Sequence, residues 1–245
     1  MLFRWRGIEI HAYPAMLYLG LVAGVLAGTF TAARRNLDPA RVYVGLLLLV
    51  PAALVGARLL TVVSHWDFYR HRTRRIWRRS EGGAALYGGL AAAGLASLPL
   101  LPALRIPIAA FWDAATVTIL TGMIFTKIGC LLNGCCAGRP TQGRIALFLP
   151  NAQGVWRRRV PAQLLEAALA CALLLGASLA WNRLPFDGAL FLSALATYAA
   201  ARWALEPIRE TVDRIGPVSL NRAISASLVA LSWVGLLLGW SHKRG

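Results

Sequence analysis

Long apolar segments are the feature that most constrains the fold of this chain of 245 residues. Hydrophobic residues make up 58% of the chain and the mean hydropathy is +0.57, whereas soluble domains are about 45–50% apolar. A run of about 20 apolar residues can cross a bilayer as an α-helix. We therefore predict an all-α, polytopic membrane protein, with residues 1–245 forming a single integral membrane domain. About seven transmembrane helices are predicted, at residues 13–33, 42–63, 83–104, 108–132, 161–181, 187–206 and 218–240.

The connections between these spans are unequal in length and charge. Residues 64–82 combine six arginines with aromatic residues, a mixture typical of a segment in the membrane interface. Residues 133–160 form the longest loop and are rich in turn-forming Gly, Pro and Asn. Seven spans put both loops on the same side as the N-terminus, so a small loop region is expected there. The positive-inside rule would place that side in the cytoplasm. We interpret the first apolar stretch as an uncleaved span, because no small-residue cleavage site follows it.

The chain is strongly basic, with 26 Lys plus Arg against 10 Asp plus Glu and a net charge of +16. Only Lys127 and Lys243 are lysines. Arginine favours bidentate contact with phosphate or carboxylate, and the natural phosphate partner of a membrane protein is an anionic membrane lipid. The basic residues are dispersed between spans, which argues against nucleic acid as a partner.

Ionisable residues inside the sixth predicted span are the strongest indication of a functional site. At 100° per residue, Tyr198, Arg202, Glu206 and Arg209 fall within an arc of about 80° on one helix face. An ionisable group at bilayer depth costs on the order of 2.5–3.5 kcal/mol, so such groups face a cavity or one another. The alternative to a site is an ion pair that holds helices together, or a stripe at the membrane interface.

Two glycine pairs flank the start of the third predicted span, in Gly82-Gly83 and Gly88-Gly89, with Tyr87 between them. Glycine allows the backbone to approach a ligand or another helix closely. On this segment alone, tight helix packing is the favoured interpretation. The Tyr87 hydroxyl, one turn into the membrane, needs a partner in either case.

The segment from Lys127 to Arg139 contains a candidate anion site and three of the four cysteines. The candidates for binding an anion at a helix end are Lys127, Asn133 and Arg139. Cys130, Cys135 and Cys136 do not have the spacing of a C-x2-C zinc pair and no histidine is near them in sequence, so no metal is predicted. We favour small apolar packing for these thiols, with a disulfide as the alternative, and we expect packing for Cys171.

Several further polar residues lie in or beside the spans. Arg58, in the second span, either snorkels to the interface or lines a cavity. Gln163 and Glu166 share one face of the fifth span. His11 and Tyr13 precede the first span. Together the bases could surround one anionic head group, oriented by Glu166 and Glu206, and this set is Arg58, Lys127, Arg139, Arg202 and Arg209.

These blocks, in this order, resemble the prolipoprotein diacylglyceryl transferase family from His11 to about Arg209. The Tyr198, Arg202 and Glu206 spacing carries the most specific similarity. The other similar blocks are His11-Ala12-Tyr13, Gly56-Ala57-Arg58, Glu81-Gly82-Gly83, Tyr87-Gly88-Gly89, Gly129, Asn133-Gly134, Gly138-Arg139, Phe148-Leu149-Pro150, Pro161-Ala162-Gln163-Leu164-Leu165-Glu166 and Arg209.

The resemblance implies transfer of a diacylglyceryl group from phosphatidylglycerol to the lipobox cysteine thiol of a prolipoprotein, without a cofactor. The thioether forms and glycerol phosphate leaves. It implies catalytic roles for Arg202, Tyr87, Glu206 and Lys127. Substrate binding would fall to Arg58, Asn133, Arg139, Gln163, Glu166, Tyr198, Arg209, Tyr13 and His11.

The chain departs from the family pattern at several positions. Tyr87 stands where the family has a histidine, and Lys127 stands for an arginine. Cys130 replaces an asparagine, Cys135 a glutamate, and Val160 a histidine. Since a phenol with a pKa near 10 is a poor base, we expect electrostatic stabilisation to contribute more than a strong base.

Two other functions remain open from the sequence. A related enzyme could transfer the lipid group to a different acceptor, or the chain could be a non-catalytic transporter of an anionic lipid or organic anion. No internal repeat of the kind common in transporters is visible. The resemblance also implies a bacterial inner membrane location with the reactive loops on the periplasmic side, contrary to the charge count.

Overall fold

The computed structural model describes residues 3–5, 8–10, 12–71, 76, 86–181, 183–210, 214–215 and 218–244. Its helices are α1 (Ala12–Ala33), α2 (Pro39–Ser64), α3 (Trp66–Tyr69), α4 (Leu86–Ala103), α5 (Ile108–Asn133), α6 (Ala162–Ala180), α7 (Ala189–Leu205) and α8 (Leu220–Arg244), with a 3-10 helix at Glu206–Ile208. The strands form three short antiparallel pairs: β1 (Phe3–Trp5) with β2 (Ile8–Ile10), β3 (Leu147–Pro150) with β4 (Trp156–Arg159), and β5 (Arg214–Ile215) with β6 (Val218–Ser219).

The predicted all-α membrane fold is confirmed. Within the described ranges, six helices are long and apolar enough to span a membrane: α1, α2, α4, α5, α6 and α8. The sixth predicted span contains α7, which has only 17 residues and packs mainly on α8. At 1.5 Å per residue α7 is about 25 Å long, which is slightly less than the hydrocarbon thickness.

Large apolar side chains lie on the outside of the helices, as expected of a protein surrounded by lipid. Leu95, Leu179 and Leu237 are more than 60% exposed, while many buried positions are Ala or Gly. The expectation that Cys171 packs inside the protein is wrong, because Cys171 is exposed on α6. It lies four residues from the exposed Leu175, so an apolar run here marks the lipid-facing side of the helix.

Small residues set the distance between neighbouring helices. A Cβ on Gly88 would lie 2.5 Å from the Leu60 Cβ and would also clash with the Gly56 carbonyl oxygen. Gly88 therefore allows α4 to lie directly against α2, which confirms the packing interpretation of this glycine. Glu81-Gly82-Gly83 lies outside the described residues.

The loop between α5 and α6 is more ordered than the sequence suggested. We predicted only turns over residues 133–160, but β3 and β4 form a hairpin in which Leu147 pairs with Arg159 and Pro150 with Trp156. Bridges from Gly138 to Arg209 and from Pro140 to Arg159 attach the hairpin to the chain that follows α7. The hairpin thus lies over the end of the bundle where α5 and α7 end and α6 begins.

Candidate active site

A buried carboxylate at the start of α6 joins two cations from other parts of the chain. Glu166 is 1% exposed and forms ion pairs with Lys127 of α5 and with Arg209, whose Nη1 lies 2.9 Å from Glu166 Oε1. Lys127 lies six residues before the end of α5, about 9 Å along the helix. Glu166 therefore holds two positive charges well inside the helical bundle.

A second buried ion pair lies at the end of α7. Arg202 Nη1 pairs with Glu206 Oε2, and the two side chains are 8% and 2% exposed. Glu206 Oε1 also accepts hydrogen bonds from Ser219 Oγ at 3.0 Å and Asn221 Nδ2 at 3.2 Å. Both carboxylate oxygens of Glu206 therefore have partners, and Glu206 fixes the position of the Arg202 guanidinium.

The prediction that a single α-helix carries the whole stripe is wrong, because Glu206 begins a 3-10 helix and Arg209 follows it. α7 ends at Leu205, and Arg209 has an extended backbone with φ −81° and ψ 146°. Pro207 ends the helix because it has no N–H and its ring clashes with the preceding turn. Arg209 still reaches Glu166, since its backbone pairs with Gly138 at the base of the hairpin.

Two tyrosines occupy the apolar side of the site. Tyr87 and Tyr198 are both buried and belong to one cluster with Met123 and Ala170. The Tyr87 hydroxyl is 2.7 Å from Ser225 Oγ of α8. Beside Tyr87 is an apolar cavity of about 320 Å³, lined by Tyr87, Leu90, Ala91, Gly94, Trp112, Phe191, Leu195, Ile224 and Leu228. The site thus has a charged half and an apolar half.

Arg139 lies at the mouth of the charged half. Its Nε donates to the Arg209 carbonyl at 3.1 Å, its backbone N–H donates to the Ile208 carbonyl at 2.8 Å, and its side chain is exposed. Lys127, Arg139, Arg202 and Arg209 thus supply four cations against the carboxylates of Glu166 and Glu206. A monoanionic phosphate would therefore find uncompensated positive charge here.

Asn133 and the cysteines form a tight turn beside the charged half. Gly134 has φ +72°, and a Cβ there would lie 2.5 Å from the Asn151 carbonyl oxygen, so only glycine fits. Gln163 Nε2 donates to the Cys135 carbonyl at 2.8 Å, while the buried Gln163 Oε1 has no partner among the described residues. Asn133, at the end of α5, is exposed and hydrogen-bonds Cys135.

The three thiols of this segment cluster in space. Their Sγ atoms all lie within 4.8 Å of one another, and none is in a disulfide. Hydrogen bonds from Cys130 and Cys135, followed by the charges of Lys127 and Arg209, lower the pKa of the Cys136 thiol. The disulfide that the sequence left as an alternative is therefore not formed here.

Two predicted binding residues, Arg58 and Tyr13, have described contacts with residues other than Glu166 and Glu206. Arg58 Nε donates to the Ile76 carbonyl at 2.5 Å, and its guanidinium lies 5.4 Å from the Tyr69 ring centroid. Tyr13 packs beside Gly129 of α5, on the cysteine side of the site. His11 lies outside the described residues. The structure thus brings Lys127, Glu166, Arg202, Glu206 and Arg209 together, with Arg139 at the mouth, and the roles assigned to these residues stay predictions.

Sequence reasoning missed two buried charged residues. Arg159 is 1% exposed and pairs with Glu210 at 2.7 Å, and this contact attaches the hairpin to the chain after α7. Asp113 in α5 is fully buried and accepts the backbone N–H groups of Gly188 at 2.8 Å and Phe191 at 3.0 Å, so it caps α7. Asp113 could have been singled out as an acid inside a predicted span.

Comparisons with known proteins show the family of the chain. The sequence model of prolipoprotein diacylglyceryl transferase matches residues 1–238. The chain belongs to the prolipoprotein diacylglyceryl transferase family. Similar proteins named phosphatidylglycerol–prolipoprotein diacylglyceryl transferase occur in Nostoc sp., at 26% identity over 97% of this chain and 88% of the relative. Others occur in Lactiplantibacillus plantarum, at 27% identity over 97% and 87%, and in Symbiobacterium thermophilum, at 28% identity over 98% and 89%.

Membership confirms the resemblance found from the sequence blocks. It makes the chain a membrane-integral member of a transferase family, in keeping with its apolar helices.

Proposed function

We propose that this protein transfers the diacylglyceryl group of phosphatidylglycerol to the lipobox cysteine thiol of a prolipoprotein. The relatives carry this activity in their names. The observation that carries the proposal is the gathering of Lys127, Arg202 and Arg209 around two buried glutamates at one end of the bundle. Three cations with side chains only 8–13% exposed exceed what helix packing normally requires.

The lipid phosphate would lie between Arg202, Lys127 and Arg139, and the acyl chains would extend into the apolar cavity beside Tyr87. The acceptor thiolate attacks C3 of the glyceryl unit and forms a C–S bond. The C3–O bond to phosphate breaks, and its electron pair leaves with glycerol phosphate. Because negative charge grows on this leaving group, preorganised guanidinium groups stabilise the transition state more than the bound lipid.

A direct assay separates this function from its alternatives. Purified protein is incubated with phosphatidylglycerol labelled in the glyceryl unit and with a lipobox peptide, and the products are identified by mass spectrometry. Thioether product is expected. Hydrolysis or transfer to another acceptor would instead support a related enzyme, and binding without turnover would support a transporter.

Two variants sharpen this assay. Arg202→Ala should reduce transfer by about 10²–10³, the usual loss for one oxyanion-type donor. Retention of more than about a tenth of wild-type activity would contradict its role. Arg41→Ala is the matched control, because Arg41 is 48% exposed near the start of α2, at the opposite end of the bundle.

We further propose that the protein lies in the bacterial inner membrane with the hairpin and the ion pairs on the periplasmic side. The Arg-rich loops on that side bind an anionic substrate, so they need not follow the positive-inside rule. Counting α7 with the six longer helices gives seven crossings, which place the C-terminus of α8 in the cytoplasm. A reporter fused after Gly245 should therefore be active only as a cytoplasmic reporter, and a periplasmic signal would refute this orientation.

A further inference from the structure

The proposed reaction needs an acceptor thiolate, and the described site offers no free base to produce one. Glu166 and Glu206 are both engaged with cations. Tyr87 is a phenol bonded to Ser225, and a phenol is a weak base at neutral pH. No histidine of the described ranges takes part in the ion pairs of the site. Among the described residues, the site therefore shows no unpaired base that would activate the thiol.

The cluster of Cys130, Cys135 and Cys136 has the dimensions of a metal site. With Zn–S bonds of about 2.3 Å in a tetrahedral arrangement, thiolate sulfurs lie about 3.8 Å apart. The three sulfurs here already lie within 4.8 Å of one another, so a small adjustment would bring them to one ion. The chain turns tightly between them, since Gly134 and Cys136 both have positive φ, +72° and +58°.

The surroundings of the cluster suit a charged metal centre close to the phosphate-binding residues. Lys127 and Arg209 both interact electrostatically with Cys136, and Arg209 also hydrogen-bonds its sulfur. These cations would offset the negative charge of three thiolate ligands. Gln163 holds the Cys135 backbone in place, and its buried Oε1 remains unpaired in the described structure.

We propose that Cys130, Cys135 and Cys136 bind one thiophilic divalent ion of the zinc class, with a fourth coordination position open to the acceptor thiol. Three protein ligands and one open position are the pattern of catalytic zinc sites, whereas structural sites are closed by four. The binding site stands on the thiol cluster alone. The role of the fourth position rests on the proposed transferase function.

The metal would replace a general base. The acceptor thiol binds the ion as a thiolate and releases its proton to solvent, because a coordinating thiol is deprotonated outright. Its sulfur then forms the bond to C3, and the C3–O electron pair leaves with glycerol phosphate. The thioether product carries no charge and is a weaker ligand than a thiolate, so it dissociates from the ion.

Metal binding is tested on the full chain in detergent. The reduced protein is stripped with a chelator, dialysed and titrated with Zn²⁺ and with Co²⁺, and a sulfur-to-cobalt charge-transfer band is followed. One ion per chain is expected. Serine substitutions of Cys130, Cys135 or Cys136 should each weaken binding by more than about 100-fold, since losing even an outer-shell partner costs 10–100-fold. Cys171→Ser is the matched control and should bind as wild type does.

A second measurement on the wild-type chain does not depend on how the variants fold. Zn²⁺ should protect the three clustered cysteines from maleimide, read by mass spectrometry, while the extent of Cys171 labelling should be the same with and without Zn²⁺. No binding of Zn²⁺ or Co²⁺, binding of Cu(I) alone, or a disulfide within the cluster of the isolated protein would overturn the proposal.

The transfer assay separates this proposal from the proposed function. Zn²⁺-loaded protein should transfer the lipid group at least about tenfold faster than stripped protein, with the difference shrinking at high pH where the free thiol ionises by itself. Equal rates for the two forms would refute thiol activation and leave the transferase function standing. Metal binding without transfer in either form would refute the proposed function and leave the metal site standing.

Discussion

The ion pair between Arg202 and Glu206 allows phosphate binding to be separated from a purely structural role. Arg202→Gln leaves the buried Glu206 carboxylate with Ser219 and Asn221 as its hydrogen-bond partners among the described residues. Breaking one partner of a buried ion pair costs about 3–5 kcal/mol, because the other charge stays buried and uncompensated. Glu206→Gln should cost a similar amount for the same reason.

The double variant, Arg202→Gln with Glu206→Gln, removes both buried charges. Neutral replacement of a buried pair is often close to neutral in stability, so the thermal unfolding midpoint should return most of the way to wild type. Transfer should nevertheless stay about 10²–10³ below wild type, a loss of about 2.7–4 kcal/mol of transition-state stabilisation. If Arg202 binds the lipid phosphate, the double variant therefore regains stability but does not regain transfer activity.

The assay measures the initial rate of thioether formation well below the unfolding midpoint of each variant. A double variant that transfers within about tenfold of wild type would refute the reasoning, because Arg202 would then serve only to hold helices together. Arg159 and Glu210 supply the control, since they too form an ion pair with a buried arginine, at 2.7 Å. Their double glutamine variant should show the same recovery of stability with transfer close to wild type.

Three further predictions follow from single contacts. Asp113→Asn should destabilise the protein by about 1–3 kcal/mol, seen as a lower unfolding midpoint, because an amide offers one acceptor oxygen where Asp113 uses two. Gly88→Ala should cost about 1–3 kcal/mol by overpacking, while Gly94→Ala should not destabilise, as nothing lies within 4 Å of a Cβ there; equal midpoints would contradict this packing. Tyr87→Phe should lower transfer by less than about tenfold, and a loss of about 10²–10⁴ would instead make Tyr87 the general base.

The fold was predictable because a bilayer leaves few alternatives. Lipid cannot satisfy exposed backbone groups, so long apolar segments must be helices, and six of the seven predicted spans contain a described helix long and apolar enough to cross a membrane. The hairpin of β3 and β4 was missed because, outside the membrane, the surroundings leave many alternatives for the backbone. Outside the membrane, water competes for backbone hydrogen bonds, and the pairing depends on tertiary bridges such as Gly138 to Arg209 and Pro140 to Arg159.

The candidate site was predictable where its residues are close in sequence. The period of an α-helix places Tyr198, Arg202 and Glu206 together. Arg159 was missed because its burial depends on Glu210, far along the chain. The cysteine cluster was missed because the spacing of Cys130 and Cys135 matches no common zinc motif, and the sulfurs meet across a turn with two positive φ values that the sequence did not predict.

The buried glutamates explain how the site can keep cations inside the bundle before a lipid arrives. A lone Arg202 or Lys127 at this depth would be costly and would turn toward the interface. A carboxylate lowers this cost and can be exchanged for a phosphate, which offers the guanidinium the same bidentate geometry. Glu166 pairs with both Lys127 and Arg209. Within this group of three residues, one negative charge faces two positive charges, so one positive charge stays uncompensated. This excess positive charge is stabilised by the negative charge that grows on the leaving group and is not stabilised in the empty site. It therefore lowers the free energy of the transition state relative to the resting enzyme.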